Sequence, residues 1–382
     1  MNFAIYGVNF VNKGAELMLN AVKQQVLEQW SPENVLACHL QIGTFAQRKA
    51  TGVNHLAWRT INKIPVAEKF ISPLIGLIPK AIREYYSIIL ESEVEVIFDA
   101  SGFAYSDQWG FMASEKMAQL CLNWKQQNKK IILLPQAFGP FTNARVKKAF
   151  IQIIENSDLI FARDEISYQY ITELAVSMDH VKIAPDFTNL VQGIKPSYLD
   201  DIAGKCCIVP NQRMLDKTSQ EVSQAYISLL VSGIKYLQLK GLEAFLLIHE
   251  ENDIAIANIL QSKLDQPILI IKETNPLILK GILGNCYLVI GSRFHSLISA
   301  FSQGVPCVGT GWSHKYKILF KDYRCSNLLF NPDNTSQNIL DLLDLLINES
   351  TRTEIIQNIN CNAVIQRTLA RQMWDEIRTK LS

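Results

Sequence analysis

Tyr287-Leu-Val-Ile-Gly-Ser-Arg-Phe-His-Ser-Leu-Ile-Ser-Ala-Phe301 is the stretch on which the fold turns. Four residues, 287–290, read as a buried strand that stops at Gly291-Ser292, and a helix begins near Phe294. A buried strand passing through a short polar turn into a helix is the repeating unit of a parallel α/β sheet. Working outward, the same signature recurs. Residues 304–317 repeat it with a strand at 306–308 and a turn marked by Gly309 and Gly311. Upstream lie strands at 206–209, 244–248 and 268–271, with helices near 219–239, 252–264, 275–284, 294–303 and 314–321. The first half carries strands at 3–6, 35–39, 94–98, 131–134, 159–162 and 181–184. Its helical patterns fall near 14–29, 66–90, 112–127, 143–156 and 165–175, and two more helices near 335–347 and 351–379 close the chain.

Between the two series, residues 192–204 lose all periodicity at Gly193, Pro196, Asp200, Asp201 and Gly204. The reading is therefore α/β, with two doubly wound Rossmann-like domains facing a cleft. Their expected limits are 1–192 and 205–350, and the segment 351–382 forms a helix long enough to return to the first domain. In such sheets ligands gather beyond the carboxyl ends of the strands, so those ends are where chemistry is sought.

Composition narrows the classes. With 48% hydrophobic and 19% charged residues the chain is globular, and 382 residues suit two ordinary cores. Thirty-seven basic against 36 acidic side chains give a net charge of +1, which argues against a nucleic-acid partner. No apolar run reaches the length of a membrane span, and Met1–Gly7 reads as a first strand rather than a secretory leader. The eight cysteines have no C-x-x-C pair and no zinc spacing, which reads as reduced, buried thiols in a cytoplasmic protein. No metal is expected, because the chain offers neither a tight His/Cys cluster nor an Asp-x-Asp pair at a strand end.

Arg293 and His295 sit where a helix begins, and free backbone N–H groups there favour an anion. Arg293 adds bidentate recognition of carboxylate or phosphate. The plainer alternative is an Arg paired with an acid and a His that caps a helix. Ser313 can cap the next helix, and Lys315 in its first turn makes most sense beside a bound anion. Arg163, Arg213, His249 and Asp253 lie at further strand ends. In the first half, the turn 9–16 with Asn12, Gly14 and Glu16 is neither G-x-G-x-x-G nor a P-loop, so nucleotide binding has no support there. Asp99, Ser101, Gly102 and Asp107 follow the third strand, Gln136 the fourth, and Asp186 the sixth. Any of Glu16, Asp99, Asp107 or Asp186 can serve as a base.

In this order the segments resemble the polysaccharide pyruvyltransferase family. The likeness rests on Asn12-x-Gly14-Ala15-Glu16, Pro135-Gln136-x-x-Gly139-Pro140, Arg163-Asp164, Pro185-Asp186, Gly291-Ser292-Arg293-Phe294-His295, and Gly304-x-Pro306 followed by Lys315. It spans roughly residues 5–320, and Arg293-x-His295 with Lys315 is its most specific part. Where family members often have a glycine triplet after the third strand, this chain has Asp99-Ala100-Ser101-Gly102.

The resemblance implies a fold similar to the GT-B glycosyltransferases, used without a metal or other cofactor. It also implies transfer of pyruvate from phosphoenolpyruvate onto two hydroxyls of a sugar, giving a cyclic ketal and free phosphate in cell-surface polysaccharide synthesis. The expected phosphoenolpyruvate ligands are Arg163, Arg293, Lys315, Ser292 and Arg213, with His295 as the acid. Asp99 or Glu16 is the expected base, and Asn12, Gly14, Ser101, Gly102 and Gln136 the acceptor side. The acceptor is a sugar or a lipid-linked oligosaccharide, and the amphipathic stretch 70–86, with Lys80 and Arg83, offers peripheral contact with the inner face of the membrane. The rival is a metal-independent inverting GT-B glycosyltransferase, whose nucleotide-sugar diphosphate the same cations can hold. A non-catalytic binding protein on the same scaffold is the third reading.

Overall fold

The computed structural model describes residues 1–30, 34–57, 76–216, 218–311, 314–330 and 338–382. The expected cap at Ser313 and residues 70–75 of the amphipathic stretch lie outside them. The chain divides into two compact units, Met1–Phe187 with Ala370–Ser382, and Thr188–Leu369.

In the first unit the strands are β1 Asn2–Tyr6, β2 Val35–His39, β3 Asn54–Ala57, β4 Ile88–Leu90, β5 Val96–Asp99, β6 Lys130–Gln136, β7 Leu159–Ala162 and β8 Val181–Ile183. Among the described residues they form one parallel sheet in the order β4-β3-β2-β1-β5-β6-β7-β8. The sheet is two strands wider than the six expected. A single helix over 66–90 is corrected: its described part holds the short helix Lys80–Tyr85 and then β4. Ser87, at φ +54°, turns the chain out of the helix, and the β-branched run from Ile88 pairs with β3. β3 escapes sequence pattern because it carries Asn54 and His55. His55 is buried only because Arg48 Nε donates to its Nδ1 at 2.8 Å. Arg83 does not share an outer face with Lys80; it is buried in a bidentate pair with Glu93 at 2.7 and 2.9 Å. Leu77, Ile82, Tyr85 and Tyr86 are exposed.

Buried apolar strands need cover on both faces. Helices Phe111–Gln126 and Ala144–Asn156 cover one face with Trp124, Phe150 and Ile153. The C-terminal helix Glu349–Leu381 sends Trp374 edge-on against Phe98 and Phe187, with ring centroids 5.7 and 6.4 Å apart. Glu376 pairs with Lys182 beside it.

The second unit contains β9 Cys206–Val209, β10 Ala244–Ile248, β11 Leu269–Lys272, β12 Leu288–Gly291 and β13 Cys307–Gly309. All run parallel in the order β11-β10-β9-β12-β13. The cysteines are free thiols, buried except for Cys361. Among the described residues no helix is long and apolar enough to cross a membrane.

Each sheet has one point where the chain, having built outward on one side, returns to build on the other. These switch points fall between β1 and β5 and between β9 and β12. The loops that leave adjacent strands in opposite directions there open a crevice, the usual ligand position in open α/β sheets.

Candidate active-site elements

At the first switch point Tyr6 ends β1 opposite Asp99, which ends β5. Gly7 then turns at φ +80°, and a Cβ on it would stand 2.3 Å from Ser101 Oγ. Only a glycine lets the two strand ends approach this closely. Asp99 is fully buried, and three donors converge on it: Ser101 Oγ at 2.5 Å, Gln136 Nε2 at 2.9 Å and Tyr105 OH at 3.0 Å. Burial raises the Asp99 pKa, opposed by those hydrogen bonds. Tyr6 is pushed up to about 12 by burial and by Asp99. Gly102, at φ +71°, lends its carbonyl to Ala137 N–H and so ties the β5 loop to the β6 loop.

Over this network lies a cavity of about 550 Å³, lined by Tyr6, His39, Gln41, Ser101, Tyr105 and Lys116 among others. That is the size of small-molecule sites. Asp99 lies behind the lining, reached through Ser101 and Tyr105.

The other first-unit candidates have local duties. Asn12 caps helix Lys13–Gln29, accepting from Gly14 N at 2.9 Å and Ala15 N at 3.3 Å, and Gly14 provides one of those N–H groups. Glu16 is buried in an ion pair with Lys13 at 2.7 Å. Arg163 and Asp186, at the ends of β7 and β8, form a buried pair at 3.4 Å. Asp107 accepts from Thr142 and Asn143 in an exposed turn.

Burial outweighs Lys13 and raises the Glu16 pKa, which fixes a sign. Through the interval between the ordinary carboxylate value and the raised one, the folded state holds the proton more tightly than the unfolded state. Stability contributed here is therefore lost as pH rises through that interval. Glu16→Gln does not titrate, so its melting temperature should gain on the parent's with rising pH and then level off. A gain that shrinks with pH would contradict the assignment.

At the second switch point the arrangement departs from expectation. Arg293 precedes helix Phe294–Phe301, but its guanidinium does not stand open for an anion. It grips Asp253 through Nε at 3.0 Å and Nη2 at 2.5 Å, and Glu250 through Nη1 at 2.7 Å. Asp253 is fully buried and also accepts from Gln212 N at 2.9 Å and Glu250 N at 3.1 Å. Arg293 thus locks the β9, β10 and β12 ends together. Burial, ahead of its neighbours' charges, raises the Glu250 pKa.

Ser292 is likewise buried. Its Oγ donates to Tyr226 OH at 2.9 Å, and its carbonyl accepts from Asn211 Nδ2 at 2.6 Å and Tyr316 OH at 3.0 Å. His295 sits half-buried in the first helical turn, edge-on to Phe294 with centroids 5.5 Å apart. Lys315 Nζ lies 5.1 Å from the Phe294 ring centroid and 5.5 Å from that of Tyr316. Arg213 forms an exposed pair with Asp216 at 3.0 Å, and its charge also acts on Glu250.

The fold thus joins Asp99, Ser101 and Gln136 into one network, and gathers Ser292, Arg293, His295 and Lys315 around one helix start. Sequence reasoning missed His39, Lys116 and Tyr6 in the first unit, and Glu250, Tyr226 and Tyr316 in the second. A signal existed for Glu250, an acid closely following a buried strand.

Two parallel sheets with a switch point apiece define the GT-B class of two Rossmann-like units. Solved structures agree in fold. UDP-GlcNAc 2-epimerase from Neisseria meningitidis, bound to UDP-GlcNAc, superimposes with a TM-score of 0.62 at 10% identity, covering 99% of this chain and 100% of that one. Anabaena HepE in complex with UDP-glucose gives 0.59 at 11%, covering 99% of each. A glycosyltransferase from Rickettsia africae gives 0.58 at 13%, covering 100% of this chain and 98% of that one. The polysaccharide pyruvyl transferase family profile matches residues 12–314. The chain belongs to that family, and it is a transferase of polysaccharide biosynthesis.

Proposed function

We propose that the chain transfers the pyruvyl group of phosphoenolpyruvate to two hydroxyls of a glycan sugar as a cyclic ketal. The second unit takes the donor and the first the sugar. The observation that carries this reading is the grouping at the second switch point, where His295 and Lys315 share the start of helix Phe294–Phe301. The helix N–H groups and Lys315 suit a small ligand carrying both carboxylate and phosphate. His295 supplies a proton at neutral pH.

In the reaction, His295 protonates the methylene carbon while a sugar hydroxyl adds to the neighbouring carbon. Ser101 takes the hydroxyl proton and passes its own to Asp99. Loss of phosphate leaves an oxocarbenium-like carbon, the second hydroxyl captures it, and its proton leaves with the phosphate. Asp99 suits the base role because burial lifts its pKa toward neutrality. Glu16, already paired with Lys13, suits it less. The acceptor is a sugar or a lipid-linked oligosaccharide at the cytoplasmic face of the membrane.

Thermal melting with separate ligands tests the donor. Phosphoenolpyruvate should raise the melting temperature and release phosphate in the presence of a sugar acceptor, with excess EDTA present throughout. Stabilisation by UDP alone, the nucleotide part of the ligands that two of the fold neighbours hold, would replace this reading with a nucleotide-sugar transferase.

A further inference from the structure

The cavity at the first switch point carries information about its occupant. Two tyrosines, Tyr6 and Tyr105, form part of the lining, and Lys116 and His39 enter it as well. Lys116 is half-buried, and its Nζ lies 5.9 Å from the centroid of the Tyr6 ring. Among the described residues Lys116 makes no ion pair, and no acidic residue lines the cavity. The nearby carboxylate of Asp99 is set behind the lining and engaged by Ser101, Tyr105 and Gln136.

His39 is held within the lining: its Nδ1 accepts from Gln41 N–H at 3.1 Å, so the neutral ring carries its proton on Nε2. Among the described residues the lining therefore presents a cation, Lys116, without a compensating anion. A partly desolvated ammonium gains most from a charged partner supplied by the ligand. A neutral sugar would leave Lys116 with the Tyr6 face alone.

We infer that this cavity reads a negatively charged substituent on the acceptor sugar, a carboxylate or a phosphate, through Lys116. The inference rests on the first unit's being the acceptor side. It adds a substrate class, acidic or phosphorylated sugars, to that reading.

Calorimetric titration without phosphoenolpyruvate tests it with three probes: methyl α-glucuronide, α-glucose 1-phosphate and the neutral methyl α-glucoside. At least one acidic probe should bind about tenfold or more tightly than the neutral one, as a charge-assisted contact implies. Which acidic probe wins tells carboxylate from phosphate. Lys116→Met should abolish the preference while leaving affinity for the neutral glycoside within about twofold, and Lys116→Arg should keep it. Equal binding of all three probes, no binding of any, or a preference that survives Lys116→Met would overturn the inference. The donor reading fails separately. A Lys116-dependent preference in a protein that phosphoenolpyruvate neither stabilises nor reacts with would keep the cavity assignment and remove the pyruvyl chemistry. Turnover of phosphoenolpyruvate with equal probe binding would do the reverse.

Discussion

His295→Gln should turn over roughly 10²–10⁴-fold more slowly than the parent, the usual loss when a positioned general acid is removed. Glutamine keeps the approximate size and a hydrogen-bonding head but cannot deliver a proton to carbon. The side chain is half-buried against Phe294, so the fold should tolerate the change. Phosphoenolpyruvate should still raise the melting temperature of the variant, because Lys315 and the helix N–H groups, which hold the anion in this reading, both remain. The two readouts together separate chemistry from binding. A histidine that merely braced the helix start would give the opposite pattern, with slightly lower stability and nearly intact turnover. That pattern would remove His295 from the mechanism.

Arg293→Ala should have its largest effect on folding rather than on donor affinity. The substitution leaves fully buried Asp253 and largely buried Glu250 without their cation. Stranding one partner of a buried ion pair costs about 3–5 kcal/mol. At roughly 2–4 °C per kcal/mol for a unit of this size, the melting transition of the second unit should fall by on the order of ten degrees. Arg293→Lys keeps the charge but not the planar fork that meets both carboxylates, so it should recover only part of the loss. The double variant Arg293→Ala/Asp253→Asn should be less destabilised than the sum of its single changes, because the two groups interact directly. Unchanged melting together with a donor affinity that falls more than tenfold would return Arg293 to the role of a direct ligand.

The parallel α/β class, two doubly wound sheets, and most helices and strands were legible in the sequence. Buried strands such as Cys206–Val209 and Ala244–Ile248 are continuous apolar runs bounded by turns, and that pattern depends on local burial alone. β3 was not legible, because its buried His55 is made tolerable by Arg48, a contact that exists only after the chain has folded. Helix starts were also local. Asn12 lies directly before the first helix and caps it.

What a charged strand end does was decided by tertiary structure. Arg163 and Arg293 each follow a buried strand and look alike in sequence, yet one pairs with Asp186 and the other with Asp253 and Glu250. Asp186 lies 23 residues from Arg163 along the chain, and Asp253 lies 40 from Arg293. Likewise Asp99 gains its buried setting from Gln136, 37 residues on, and Lys116 faces Tyr6 across the sheet's first switch point. Sequence period reports which residues are buried, because burial follows from each element's own face. The charge state and partner of a polar group depend on which strand ends the sheet order makes adjacent, and that order is a property of the whole chain.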